Sequence, residues 1–157
     1  MITVMVAGAV ENDNKVVLAA KTVLNANGMT VTRLALGEKG EAVKITDNVS
    51  ISFVSLSHHK WAITQCSPSV IVDFTDVVGK NVDLYCECRV PFIMVGVVAV
   101  FRKERIEKTV RESEICAMTV PPDYIRVGRG IPGIVRFLSN QKREKGRVFS
   151  IMDVLRG

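Results

Sequence analysis

The chain lacks any apolar run long enough to cross a membrane: its longest, Val90-Pro-Phe-Ile-Met-Val-Gly-Val-Val-Ala-Val-Phe101, falls well short of the roughly 18 to 20 residues a spanning helix needs. Its opening, Met1-Ile-Thr-Val-Met-Val-Ala-Gly8, has neither the basic start and long apolar stretch of a secretion signal nor a transit-type leader. Cysteines are few. Cys66, Cys86, Cys88 and Cys116 hold one close pair, Cys86-Glu-Cys88, and that spacing is not a metal-knuckle spacing, so free buried thiols and no metal ligands are the expectation. Aromatics make up 6%, and none interleaves with the basic run at 142–147, which argues against a base-stacking surface for nucleic acid. There is no Gly-x-Ser-x-Gly turn, so Ser55 and Ser57 beside His58-His59 do not form a nucleophile elbow.

What is present is a globular composition: 157 residues, 48% of them hydrophobic, with Val, Ile and Leu far outnumbering aromatics. That length holds one domain. Residues 3–8 form a short apolar strand ending in glycine, and 15–26 carry Val16, Val17, Ala20, Val23 and Leu24 at helical spacing up to Asn27-Gly28. Residues 29–36 read as a second strand, 37–40 as a turn, and 49–53 as a short strand in which Val49, Ile51 and Phe53 alternate with serines. One or two helical turns fit 58–65.

Val70-Ile-Val-Asp-Phe74 is a continuous apolar strand, 77–88 a helix with Val78, Val82, Tyr85 and Cys86 on one face, and 90–98 another strand. Residues 103–114 form a charged helix with Ile106 and Val110 as its buried stripe, and 115–120 a strand ended by Pro121-Pro122. Beyond it, three glycines and Pro132 interrupt any helix over 125–138, so 122–157 is expected to be an irregular basic segment. Near-continuous apolar strands alternating with helices predict a doubly wound α/β domain with a parallel sheet covered on both faces.

Such sheets bind ligands beyond the carboxyl ends of their strands, which directs attention to the tips after Gly8, Phe74, Gly96 and Val120. The first tip is Gly8-Ala-Val-Glu-Asn-Asp-Asn14. A dinucleotide site wants several glycines there, and only Gly8 has that character. Glu11 and Asp13 place negative charge where a diphosphate would lie, at a cost on the order of one to a few kcal/mol. Read without a ligand, the same residues are an ordinary helix cap with Asn12, Asp13 or Asn14 in the capping place.

Val70-Ile-Val-Asp-Phe-Thr75, Asn81-Val-Asp-Leu-Tyr85 and Val90-Pro-Phe-Ile-Met-Val-Gly96 resemble dihydrodipicolinate reductase, particularly its plant-type branch, over the nucleotide-binding half of that family. Weaker likeness continues through Glu107-Lys-Thr-Val110, Ile115-Cys-Ala117, Pro121 and Asp153-Val-Leu155. The resemblance implies a Rossmann-like fold, NADPH or NADH as cofactor, and reduction of a cyclic imine-type acid in lysine synthesis by the diaminopimelate pathway. Carried over residue by residue, Gly8 matches the first glycine of the phosphate loop, Phe74, Thr75 and Gly96 match segments lining the nicotinamide end, and Pro121 falls near the tip that closes over it.

The departures matter as well. The family's glycine-rich loop is here Val10-Glu-Asn-Asp-Asn14, and its Gly-Thr-Thr-Gly loop is here Gly96-Val-Val-Ala99, which removes two hydroxyls and adds a Cβ. Lys39 is the candidate contact for a 2′-phosphate, against a plain solvated turn lysine. Family members follow their Asp-Val-Leu-like segment with histidines, a lysine and a Ser-Gly-Thr stretch; none follows Asp153-Val-Leu-Arg-Gly157. The expectation is therefore no catalytic residue in this chain and no turnover by it alone. His58-His59-Lys60 imitates that missing set but lies far upstream, where a surface helix is expected.

The formal charge is +5, and much of it clusters in Arg136, Lys142, Arg143, Lys145 and Arg147. A solvated surface or an acidic partner protein suits that cluster better than nucleic acid. A second reading follows: a non-catalytic, reductase-like module acting through partner proteins or through self-association of exposed apolar surface. The compartment implied is soluble and intracellular, a plastid for a plant protein.

Overall fold

The structure, a computed structural model, describes residues 2–9, 15–36, 42–45, 50–53, 56–75, 79–96, 100–123, 130–141 and 143–156. The strands are β1 (Thr3–Ala9), β2 (Thr30–Leu36), β3 (Ala42–Ile45), β4 (Ser50–Phe53), β5 (Val70–Asp73), β6 (Phe92–Val95), β7 (Ala117–Val120) and β8 (Val148–Phe149). The helices are α1 (Lys15–Ala26), α2 (Leu56–Cys66), α3 (Gly79–Glu87), α4 (Val100–Ser113), α5 (Ile131–Ser139) and α6 (Ile151–Arg156). They build one sheet in the order β4-β3-β2-β1-β5-β6-β7-β8. Six strands, from β2 to β8 across that order, run parallel, and β3 and β4 add an antiparallel pair at one edge.

The pleat of the central strands decides what lies on each face. Val4 and Val6 of β1, Val70 and Val72 of β5, and Ile93 and Val95 of β6 point to one side, where they meet Val17, Ala20 and Leu24 of α1 and Ile131, Ile134, Val135 and Leu138 of α5. Their neighbours Met5, Ala7, Ile71, Phe92 and Met94 point to the other, against Ala62 and Ile63 of α2, Val82 and Tyr85 of α3, and Ile106 and Val110 of α4. Both faces are covered. This is why β5 and β6 read as unbroken apolar runs: a strand buried on both sides has no polar face to alternate with.

Helices end where the chain must turn into the next strand. The N–H groups of Gly28 and Met29 donate to the Asn25 and Leu24 carbonyls at 3.1 Å, closing α1 with Gly28 at a left-handed φ of 78°. Arg89 and Val90 donate in the same pattern to Cys86 and Tyr85 at the end of α3, but with arginine at φ 55°. Glu114, after α4, has φ 57° and Ser67, after α2, has φ 42°.

Several expectations change. Val16 does not belong to the buried stripe of α1; it is 52% exposed, and Val17, Ala20 and Leu24 carry the contact. Residues 122–157, expected to be irregular, contain α5, β8 and α6. Pro132 lies in the first turn of α5, where a proline has no helical hydrogen bond to lose, and Gly133 follows it inside the helix. Because α5 lies on the α1 face while α3 and α4 lie on the other, the β7-α5-β8 crossover has the opposite hand to β5-α3-β6 and β6-α4-β7. Crossovers of the minority hand are rare in parallel sheets. Residues 58–65 belong to a full three-turn helix, α2. The expected turn at 37–40 and the capping residues Asn12, Asp13 and Asn14 lie outside the described residues. No helix among the described residues is long and apolar enough to cross a membrane.

Candidate functional site

The chain leaves β1 toward β2 and leaves β5 toward β6, so the topology reverses between two neighbouring strands. Register then assembles the sequence candidates. Ala7 pairs with Asp73, Asp73 with Met94, and Val95 with Val120, so Phe74, Thr75, Gly96 and Pro121 leave the sheet at its C-terminal edge, with Gly8 one residue before the end of β1. Gly8 is buried beside Ala35 of β2. The Phe74 N–H donates to the Ala7 carbonyl at 2.8 Å, and that of Gly96 to the Val120 carbonyl at 3.0 Å, so the strands stay zipped one residue past their formal ends. Phe74 and Thr75 are half-buried, Gly96 buried and Pro121 exposed. Val10 to Asn14, Lys39 and Val97 to Ala99 lie outside the described residues.

The residue at the heart of this edge is one that sequence reasoning passed over. Asp73 is fully buried at the end of β5, and both its oxygens are used twice. Oδ1 accepts from the Thr75 N–H at 2.7 Å and the Thr75 hydroxyl at 2.5 Å. Oδ2 accepts from the Tyr85 hydroxyl at 2.6 Å and the Asn81 amide at 3.1 Å. The Asn81 amide also donates to Thr75 Oγ1 at 2.9 Å. A signal was available: one carboxylate in an apolar strand, a threonine two residues on, and two polar side chains four apart, hence on one face of the next helix.

The electrostatics follow from burial. Loss of water pushes the Asp73 carboxyl above its ordinary range, while the hydrogen bonds from Thr75, Tyr85 and Asn81 pull it back. Burial, with the Asp73 charge beside it, holds the Tyr85 hydroxyl well above its ordinary value, so it stays protonated and donates. All four ordinary acceptor positions of the carboxylate are therefore occupied, leaving Asp73 no role as a free acid or base. Its work is positional: it ties the β5 tip to α3 and fixes the Thr75 hydroxyl at the switch between β1 and β5.

The remaining candidates are not part of this edge's chemistry. His58, His59 and Lys60 belong to α2, which packs through Ala62 and Ile63. Cys86 and Cys116 are buried and Cys66 and Cys88 half-buried, all as free thiols. Within the basic cluster, Arg136 donates to the Asn27 carbonyl and side chain at 3.5 and 3.3 Å, and Arg147 pairs with Asp153 at 3.2 Å and lies 4.5 Å from the centre of the Phe149 ring. Arg143 and Lys145 are exposed. A groove of about 560 Å³ opens at the opposite, N-terminal edge of the sheet.

Parallel strands covered on both faces, with a switch between β1 and β5, define a doubly wound, Rossmann-like α/β domain. A scan against protein-family models finds no match, and a search of the curated proteins finds none.

Proposed function

We propose that this chain is a dihydrodipicolinate reductase-like domain that receives NADPH or NADH across the C-terminal edge of its sheet. The observation that carries this reading is the Asp73 network: Val70 to Thr75 and Asn81 to Tyr85, the stretches most like that family, supply all four of its side chains. A likeness concentrated in residues that shape the switch point is what a shared ligand geometry would leave behind. Gly8 and Gly96, which the resemblance matches to the phosphate and nicotinamide segments, stand on the strands flanking Thr75.

The test is a calorimetric titration of the chain with NADPH and NADH, beside Thr75→Val. Micromolar binding, weakened on the order of tenfold in the variant, is expected, because losing the hydroxyl unties the Asp73 network that shapes the switch point. No heat with either cofactor overturns the reading.

A second reading, a non-catalytic module acting through protein partners or self-association, is favoured by Glu11 and Asp13 in the phosphate loop and by Val97, Val98 and Ala99 in place of the family's Thr-Thr-Gly. Exposed Trp61, Met152 and Leu155 offer apolar contact, and Arg143 and Lys145 offer charge. Pull-downs with both cations neutralised test it: an unchanged set of partners removes the charge-mediated version.

A further inference from the structure

The groove at the N-terminal edge lies at the far end of the strands from the switch point. Its floor includes Ile2, Pro91, Ile115 and Leu138, and its rim carries Arg89, Glu114 and Lys145. Arg89 and Glu114 stand in equivalent places: each follows a helix, and each precedes by three residues a member of the paired positions Phe92 and Ala117. Opposite charges therefore stand at the entries of adjacent strands. Among the described residues, neither has an ion-pair partner.

The backbone at both charges has a common form. Both residues hold left-handed backbone, at φ 55° and 57°, where glycine is the unstrained choice that α1 makes with Gly28. Ser139, which also lines the groove, adds a small polar side chain to its wall.

We propose that this groove binds a free α-amino acid with an apolar side chain. The Arg89 guanidinium takes the carboxylate, and the Glu114 carboxylate takes the ammonium. The apolar floor takes the side chain, and the volume lies inside the range of small-ligand sites, roughly 300 to 1,000 Å³. The site is separate from the proposed cofactor edge, so its test is independent of the NADPH titration.

The experiment is an NMR chemical-shift titration of the intact chain with L-leucine, with leucinamide, which lacks the carboxylate, and with N-acetyl-leucine, which lacks the ammonium. Leucine is expected to bind in the micromolar to millimolar range, with shifts at residues lining the groove and each analogue about tenfold weaker. Arg89→Gly abolishes the discrimination against leucinamide, and Glu114→Gly that against N-acetyl-leucine. Both variants put glycine where the backbone favours it, so folding is not in question. Equal binding of the three compounds, shifts confined to other surfaces, no binding at millimolar concentration, or discrimination unchanged in the variants overturns the proposal.

Discussion

The two ends of the same strands treat polar groups in opposite ways. At the C-terminal edge a buried carboxylate, a threonine, an asparagine and a tyrosine satisfy one another completely. At the N-terminal edge Arg89 and Glu114 stand exposed on left-handed backbone at the entries of adjacent strands, with no ion-pair partner among the described residues. A closed network in low dielectric rigidifies, and its failure is expensive; open charges at a rim contribute little to stability and remain available to a ligand. The stability of this domain should accordingly be far more sensitive to substitution at one end than at the other.

The largest effect is expected at Asp73. Replacing it with alanine strands the Tyr85 hydroxyl, the Asn81 amide and the Thr75 N–H together, and a loss of about 3 kcal/mol in unfolding free energy follows. Tyr85→Phe keeps the ring, whose centre lies 5.5 Å from that of Phe92, and removes one bond to a charged partner, so about 1.5 kcal/mol is expected. Urea unfolding of both variants measures this. If Asp73→Ala is no worse than a surface substitution, the network does not hold β5 to α3 and the contrast between the edges fails.

Glycines at left-handed positions come next. An alanine Cβ at Gly146 would sit 3.3 Å from the Arg111 Cα as well as straining φ, whereas at Gly28 it would meet nothing within 4 Å. Gly146→Ala should thus cost about 2 kcal/mol and Gly28→Ala about 1 kcal/mol. At the N-terminal edge the sign reverses: Arg89→Gly and Glu114→Gly relieve left-handed strain, partly offset by a more flexible unfolded chain, for a net gain of about 0.5 kcal/mol each. Thermal midpoints of the four variants give the ordering directly. A loss of stability in both rim variants would mean that those side chains hold the fold and that the rim is not strained.

Much of this fold was legible because period alone distinguishes its elements. Val17, Ala20 and Leu24, and Ile106 and Val110, carry the helical repeat, and Val70 to Asp73 and Phe92 to Val95 carry the unbroken run of a strand buried twice. The helix α5 was hidden by Pro132 and Gly133, although Ile131, Ile134, Val135 and Leu138 already traced its buried face. β8 is two residues long and exists through its pairing with Ala117 and Met118, and β3 through its pairing with β2, so neither has a local signal. The strand-tip rule directed attention to the tips after Gly8, Phe74, Gly96 and Val120, and the family resemblance added Thr75 and Pro121 beside them. The Asp73 network and the groove did not, because both join residues far apart in the chain whose meeting depends on strand order.

The smallest expected effect compares two aspartates. Asp153 lies in the first turn of α6, which follows β8; its Oδ2 accepts from the Ser150 N–H at 2.7 Å and its Oδ1 from Arg147 at 3.2 Å, a capping arrangement open to solvent. The Ser150 bond first, then its hydroxyl and the positive charges of Arg147 and Arg156, hold its carboxyl below the usual range despite slight burial. A depressed carboxyl contributes stability above its unfolded pKa and loses it as pH falls through the folded value; a raised one, Asp73, contributes stability at low pH and loses it as pH rises. Asp153→Asn should therefore cost about 0.5 kcal/mol at neutral pH, after allowance for screening, with the difference vanishing in acid. The stability difference between wild type and Asp73→Asn should move the other way, shrinking as pH rises above the ordinary carboxylate range. Urea midpoints measured across acid and neutral pH read both slopes. Parallel slopes would show that solvent reaches the β5 tip, and that Asp73 titrates as a surface group.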